Sequence, residues 1–291
     1  MPERKILLSA DTPCDIGPTL IDRYSVSLYP LHILLGDRQY TDNLDITAED
    51  IFEHWRKNRE LPRTAAINPE EYQSYFAEWL EKGYDILHIS LGSGLSSSCQ
   101  NAQLAAGAFD EGRVYVIDSR SLSTGFGLLV CEAGERIKQG MDIRRIYEEV
   151  AALAPLTSAS FVLDTLEFMR AGGRCSSIAQ LGASVLQLKP SIMVRSELHG
   201  GMTVGKKYMG RLDRAMLKYV EDLLQGRDDI VLDRVFITNS GIDDGIREAV
   251  EKRVLELQPF REVFHTRASC TISAHCGPNC LGVLFLTRPM G

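Results

Sequence analysis

The feature that most constrains this chain is a strict alternation of short apolar runs with helical patterns in its first half. Residues 5–9, 85–91 and 114–118 are apolar runs of strand length. Residues 70–82, 96–107, 122–138 and 143–152 carry helical periodicity. Strands buried on both faces read as unbroken apolar runs, and strand–helix units of about 30 residues build parallel sheets. Local signals agree. Thr47 with Asp50 is close to a capping box, Pro69 sits at a natural first helical position, and Gly83 stops the helix that follows it. Residues 25–35 form one further apolar run, closed by a Gly36-Asp37 turn.

The second half reads differently. Strands are expected at 161–163, 191–195, 234–239, 262–265 and 282–286, and helices at 211–224 and 243–257. Gly200-Gly201 offers a hairpin turn between 197–198 and 202–204. Hairpins mixed with helices predict a mixed or antiparallel sheet. Residues 153–160 hold one Pro, two Ser and no charge, and mark the change. The expectation is an α/β protein of two domains. Residues 1–155 form a parallel-sheet, Rossmann-like domain, and residues 156–291 a mixed or antiparallel α/β domain.

Composition removes several function classes. The 39 acidic against 32 basic residues leave a net charge of −7, so the chain lacks the basic footprint of a general nucleic-acid binder. The longest apolar run, 26–35, contains Pro30 and His32 and is too short to span a bilayer. The opening residues do not read as a signal peptide. Seven irregularly spaced cysteines argue against a disulfide framework and for a cytoplasmic location.

The densest chemical signal is Ser90-Leu91-Gly92-Ser93-Gly94-Leu95-Ser96-Ser97-Ser98, after an apolar strand and opening a helix. Unpaired N–H groups, two glycines and several hydroxyls there could cradle a carboxylate or phosphate. A helix cap followed by a surface loop would need the same residues. A hydrolase nucleophile elbow around Ser93 fails, because Leu91 and Leu95 stand where glycines are required. A dinucleotide fingerprint has Gly92 and Gly94, but Ser97 where a third glycine belongs. A serine-dependent hydrolase and a dinucleotide-binding oxidoreductase therefore stand as the alternatives. Cys270, His275, Cys276 and Cys280 lack the paired knuckles of a zinc site, and no metal or cofactor is expected. His275 reads as a loop histidine able to donate from both ring nitrogens when protonated. Arg174, after Gly172-Gly173, either complements a helix dipole or reaches an anion. Asp11, Asp15 and Asp42 read as turn and cap residues.

In order and spacing these segments resemble the DegV family over nearly the whole chain. Ser9-Ala10-Asp11-Thr12-Pro13-Cys14-Asp15 is similar to the family's opening Asp-Ser-x-x-Asp element. Thr64 and Pro69 match its Thr-Ser-Gln-Pro-Ser-Pro segment, and residues 95–102 resemble its Leu-Ser-Gly-Thr-Tyr-Gln-x-Ala. Val116-Ile117-Asp118-Ser119, the Asp164-Thr165-Leu166 and Gly172-Gly173-Arg174 ends of one run, Lys189-Pro190 and His275-x-Gly277-Pro278 complete the series.

The resemblance implies a two-domain fatty-acid carrier, similar to the binding subunit of bacterial fatty acid kinase. A long-chain fatty acid would lie in an apolar tunnel with its carboxylate at the domain junction, where a separate kinase subunit phosphorylates it. By family match Thr64 and Ser96 would bind the carboxylate. Ser97, Arg174 and His275 are weaker candidates for the headgroup or its phosphorylated form. The chain itself would catalyse nothing, and any contact with a membrane surface would be transient. Ala65 and Ala66 replace a Ser and a Gln of the family segment, and Cys99 replaces an aromatic, which leaves chain length and saturation preference open.

Overall fold

The computed structural model describes residues 4–180 and 188–289. Its first sheet is wholly parallel, in the order β2 (Ser27–Tyr29), β1 (Lys5–Asp11), β6 (Tyr84–Ser90), β7 (Val114–Asp118). Of the apolar runs read from the sequence, 5–9 and 85–91 are its central strands and 114–118 an edge strand, and both β1 and β6 end in five consecutive buried residues. Helices α1 (Gly17–Tyr24), α3 (Pro69–Glu81), α4 (Ser98–Ala106), α5 (Thr124–Lys138) and α6 (Ile143–Leu153) belong to this half. The Asn68–Glu71 capping box fixes the start of α3.

The second sheet is mixed. Its order is β11 (Gly201–Met209), β10 (Leu188–Arg195), β9 (Ser160–Val162), β14 (Leu281–Thr287), β12 (Ile230–Asn239), β13 (Glu262–Arg267), with β8 (Thr157–Ser158) also paired to β14. Only β12 and β13 pair in parallel. Side chains alternate across a strand. Val235, Ile237, Val283 and Phe285 therefore face one core, shared with α8 (Leu212–Leu224) and α9 (Asp244–Leu257). Phe236, Leu284 and Leu286 face the other way, into the core that the first sheet also lines. One apolar layer thus runs between the two sheets.

A small third sheet corrects the single run expected at 25–35. Pro30 has no N–H to donate to a ladder, and the run splits there. Residues 27–29 join the parallel sheet. β3 (His32–Leu35) turns away to pair antiparallel with β4 (Arg38–Thr41) and β5 (Arg63–Ala65). With α2 (Ala48–Asn58) this sheet packs on Phe168 of α7 (Glu167–Gly172) and Cys270 of α10 (Cys270–Cys276). The connection before β11 is longer than expected, since β10 ends at Arg195 and residues 196–198 form a 3-10 turn rather than strand. Among the described residues no helix is long and apolar enough to cross a membrane.

Candidate functional site

The carboxyl ends of β1 and β6, β5 and α10 converge where the two sheets meet. A cavity of about 770 Å³, its open mouth included, lies there. Thr64 on β5, Ser96 and Ser97 before α4, Arg174 after α7 and His275 on α10 all line it, each exposed or half-buried. Buried Leu91, Leu122, Phe161, Met169, Met202 and Cys276 line it too, as do Leu31 and Leu95. A second, smaller cavity adjoins it and shares Leu122, Phe161, Ile272 and Cys276 with the first. The site is a half-open, mostly apolar cavity whose lining also carries these polar side chains.

Two hydroxyls at the mouth are oriented by neighbours. Thr64 Oγ1 lies 3.0 Å from His275 Nε2. Burial, followed by the nearby Arg174 charge, pushes His275 down to about 4, so its ring is neutral at pH 7. Its Nδ1 is enclosed without a partner. That nitrogen packs against Gly172, where an added Cβ would lie 2.2 Å away, so α7 must carry a glycine at this point. Ser96 Oγ accepts from Ser98 N at 3.2 Å and lies 2.9 Å from Ser98 Oγ, and Ser98 is buried. Arg174 folds back to donate to Gly172 O at 2.8 Å, which closes the end of α7 beside Gly173 in the left-handed region.

Behind the mouth stand three buried carboxylates. Asp11, at the end of β1, accepts from Tyr72 Oη (2.6 Å), Ser90 Oγ (2.6 Å), Leu91 N (2.8 Å) and His88 Nε2 (3.1 Å). Burial raises this carboxyl, but the hydrogen bonds from His88, Ser90 and Tyr72 outweigh it and hold Asp11 below the usual carboxylate range. Asp15 accepts from Ser123 Oγ (2.5 Å) and Ser269 N (3.0 Å). Asp42 accepts from Thr271 Oγ1 (2.7 Å) and Thr271 N (3.3 Å). Burial prevails at both, pushing Asp15 up to about 8 and Asp42 to about 6. Asp11 thus anchors the loop that carries Ser96, and Asp15 with Asp42 anchors the helix that carries His275.

Several sequence expectations change in this light. Gly92 and Gly94 do not open space for a ligand. A Cβ on Gly94 would lie 2.3 Å from Leu198 O, and one on Gly92 2.7 Å from His199 O, because the β10–β11 hairpin is seated on this loop. Gly94 N donates to His199 O at 2.9 Å. Protein backbone fills the position a dinucleotide pyrophosphate would need, and of the loop Leu91, Leu95, Ser96 and Ser97 reach the cavity. Ser93 faces Asp118 instead, with Oγ to Oδ2 at 2.6 Å. Ser96 and His275 do not pair, since Ser96 bonds Ser98 while His275 bonds Thr64; Ser9 Oγ does lie 2.9 Å from His88 Nδ1, but both residues are fully buried. His275 is on a helix, not in a loop, and is a neutral partner rather than a double donor. Asp11 is the centre of a buried network rather than a turn residue. Among the described residues no group of three potential metal ligands is arranged to hold an ion. Met169, Met202, Thr271 and Ile272 line the cavity and were not singled out by sequence, where nothing but their partners in space distinguishes them from ordinary core residues.

A family model described as "Uncharacterised protein, DegV family" matches residues 5–288. A DegV domain-containing protein of Deinococcus radiodurans is 27% identical over 281 residues, 96% of this chain and 97% of that one. A structure described as fatty acid binding of a DegV family protein from Thermus thermophilus superposes with a TM-score of 0.86 at 28% identity, covering 97% of this chain and 99% of that one. The crystal structure of DegV, a fatty acid binding protein from Bacillus subtilis, has the same fold, with a TM-score of 0.82 at 23% identity and coverage of 98% and 100%.

Proposed function

The chain belongs to the DegV family, and from that premise we propose that it is a carrier that holds a long-chain fatty acid between its two domains, residues 1–155 and 156–291. The observation that carries this reading is the cavity itself: a mostly apolar lining that also carries Thr64, Ser96, Ser97, Arg174 and His275. Each buried methylene contributes about 0.8 kcal/mol, so the acyl chain supplies the strength of binding. A carboxylate without partners would be costly there, so fixed donors are required. Thr64 and Ser96 supply them. Thr64 Oγ1 lies 3.0 Å from His275 Nε2, and in the neutral tautomer with its proton on Nε2 the ring donates to Thr64 and leaves the hydroxyl proton for the carboxylate. Ser98 holds the Ser96 oxygen from behind. Ser97 and Arg174 face the same opening and suit a carboxylate that becomes phosphorylated. The finer reading is that the protein catalyses nothing itself and presents the carboxylate to a separate kinase subunit in the cytoplasm. It is supported by the resemblance of the motifs and by the position of these groups at an open mouth.

The test is direct. Lipid extraction of purified protein followed by mass spectrometry should recover a long-chain fatty acid in near-stoichiometric amount. Addition of a fatty acid kinase subunit with ATP and magnesium should convert it to an acyl phosphate. Steady ester hydrolysis by the isolated chain, abolished by Ser96→Ala, would overturn the carrier reading in favour of a hydrolase.

A further inference from the structure

The carrier reading gives no task to Cys276 and Cys280. None of the seven cysteines is in a disulfide, and all are buried. Of the seven, only Cys276 lines the open cavity, while Cys276 and Cys280 together line the smaller one beside it. Cys276 is thus the one thiol that a small solute entering the open cavity meets, and Cys280 is its neighbour on the other side.

The segment between them is a clamped turn. Helix α10 ends at Cys276. Gly277 (φ 73°) and Asn279 (φ 59°) have positive φ, with Pro278 between them, and the chain turns back on itself. A Cβ on Gly277 would lie 2.8 Å from Phe168 Cδ2, so the turn is packed against α7. One side chain holds both ends. Ser240 Oγ donates to Gly277 O (2.6 Å) and accepts from Cys280 N (3.0 Å). Ser240 N donates to Cys280 O at 3.0 Å. The two cysteines are therefore kept at opposite ends of a short fixed turn, facing one small space.

The thiols also act on each other. Burial pushes Cys280 well above the usual thiol range, and the Cys276 thiol raises it further by hydrogen bond and by charge. Cys280 keeps its proton. Thiols attack as thiolates, so the first reaction with an oxidant falls to Cys276.

Resting on the carrier reading for what fills the cavity, we propose that Cys276 and Cys280 are a site of reversible oxidation by hydroperoxides, open in the empty protein and covered in the loaded one. With hydrogen peroxide, the Cys276 sulfur attacks one peroxide oxygen, the O–O bond breaks, and the departing oxygen leaves as water with the thiol proton. Cys280 then attacks the Cys276 sulfenic acid. The S–S bond forms, the S–O bond breaks, and the hydroxyl leaves as a second water with the Cys280 proton. The two thiols give up two electrons, and one peroxide becomes two waters.

The test treats the delipidated full chain with hydrogen peroxide, with and without oleic acid. The empty protein should lose two hydrogens in intact mass and regain them with dithiothreitol. Fragmentation of the tryptic peptide that begins at Ala268 should place the bridge between Cys276 and Cys280 and leave Cys270 free. Cys280→Ser should form no bridge and let dimedone trap a sulfenic acid on Cys276. Circular dichroism and thermal unfolding verify that the variant is folded, and Cys280→Ala serves if it is not. With oleic acid at about ten times its Kd, the empty fraction and the rate of bridging should fall about tenfold. No bridge in the empty protein, or a bridge to another cysteine, would overturn the pair. Equal rates in empty and loaded protein, with acid binding shown by calorimetry, would overturn the covering and leave the carrier reading intact. Absence of acid binding would overturn the carrier reading and the covering, while the bridge in the empty chain decides the pair by itself.

Discussion

The two walls of the cavity mouth are both anchored by buried carboxylates, yet the anchors differ in kind. On the wall that carries Ser96, Asp11 takes four hydrogen bonds, one from the backbone of Leu91 itself, and is held below the usual carboxylate range. On the wall that carries His275, burial lifts Asp15 and Asp42 to about 8 and about 6 in spite of their hydrogen bonds. All three are almost wholly buried. Depth alone therefore does not decide ionisation; the neighbours do, and His88 lowers Asp11 both by its hydrogen bond and by its charge. One wall is pinned by a fixed charge, while the other rests on groups that change protonation close to physiological pH.

The largest effect should come from removing the fixed charge. Asp11→Ala leaves Leu91 N, Ser90, Tyr72 and His88 without their acceptor, and we expect a loss of about 3–5 kcal/mol in urea unfolding. A loss below about 1 kcal/mol would show that the two walls are alike after all. Next come the mouth hydroxyls, one on each wall. Thr64→Ala and Ser96→Ala should each weaken fatty-acid binding by about 1–3 kcal/mol and leave binding of the corresponding fatty alcohol much less affected. Equal acid affinity in both variants and wild type would remove them from the site.

The smallest effect, taken per pH unit, is a dependence on pH. Unfolded, Asp15 loses its proton near 3.8; folded, it keeps it to about 8. Between those values the folded state holds one more proton. The contribution to stability is full below the lower value and falls as pH rises, by at most about 1.4 kcal/mol per pH unit, until the folded group also ionises. Urea unfolding from pH 6 to pH 8 should show this decline, and Asp15→Asn should flatten it. An unchanged slope in Asp15→Asn would mean that this carboxyl ionises normally and that the contrast between the walls is not one of charge.

How much of this was legible in sequence follows the range of the interactions. The parallel strands and the α2 start at Thr47 are local, set by apolar runs and caps, and they emerge from residues close in the chain. Thr64, Ser96, Arg174 and His275 could be singled out by resemblance, but not their meeting in one cavity, which depends on strands and helices up to 211 positions apart. Asp11 looked like a turn residue because its donors lie 61 to 80 positions away. Gly92 and Gly94 misled for a related reason. Glycine marks a close approach without saying what approaches, and here it is the 198–199 backbone rather than a ligand.

That contact gives the site an order of assembly. Ser96 and its loop leave the ribosome well before the hairpin at 198–199 that is seated on Gly94, and α10 with His275 follows near the end of the chain. Synthesis proceeds at about 5–20 residues per second, with N-terminal structure forming first. The parallel sheet can therefore be complete while the mouth still lacks its second wall. A nascent chain halted before the hairpin therefore has a core but lacks the wall that completes the cavity.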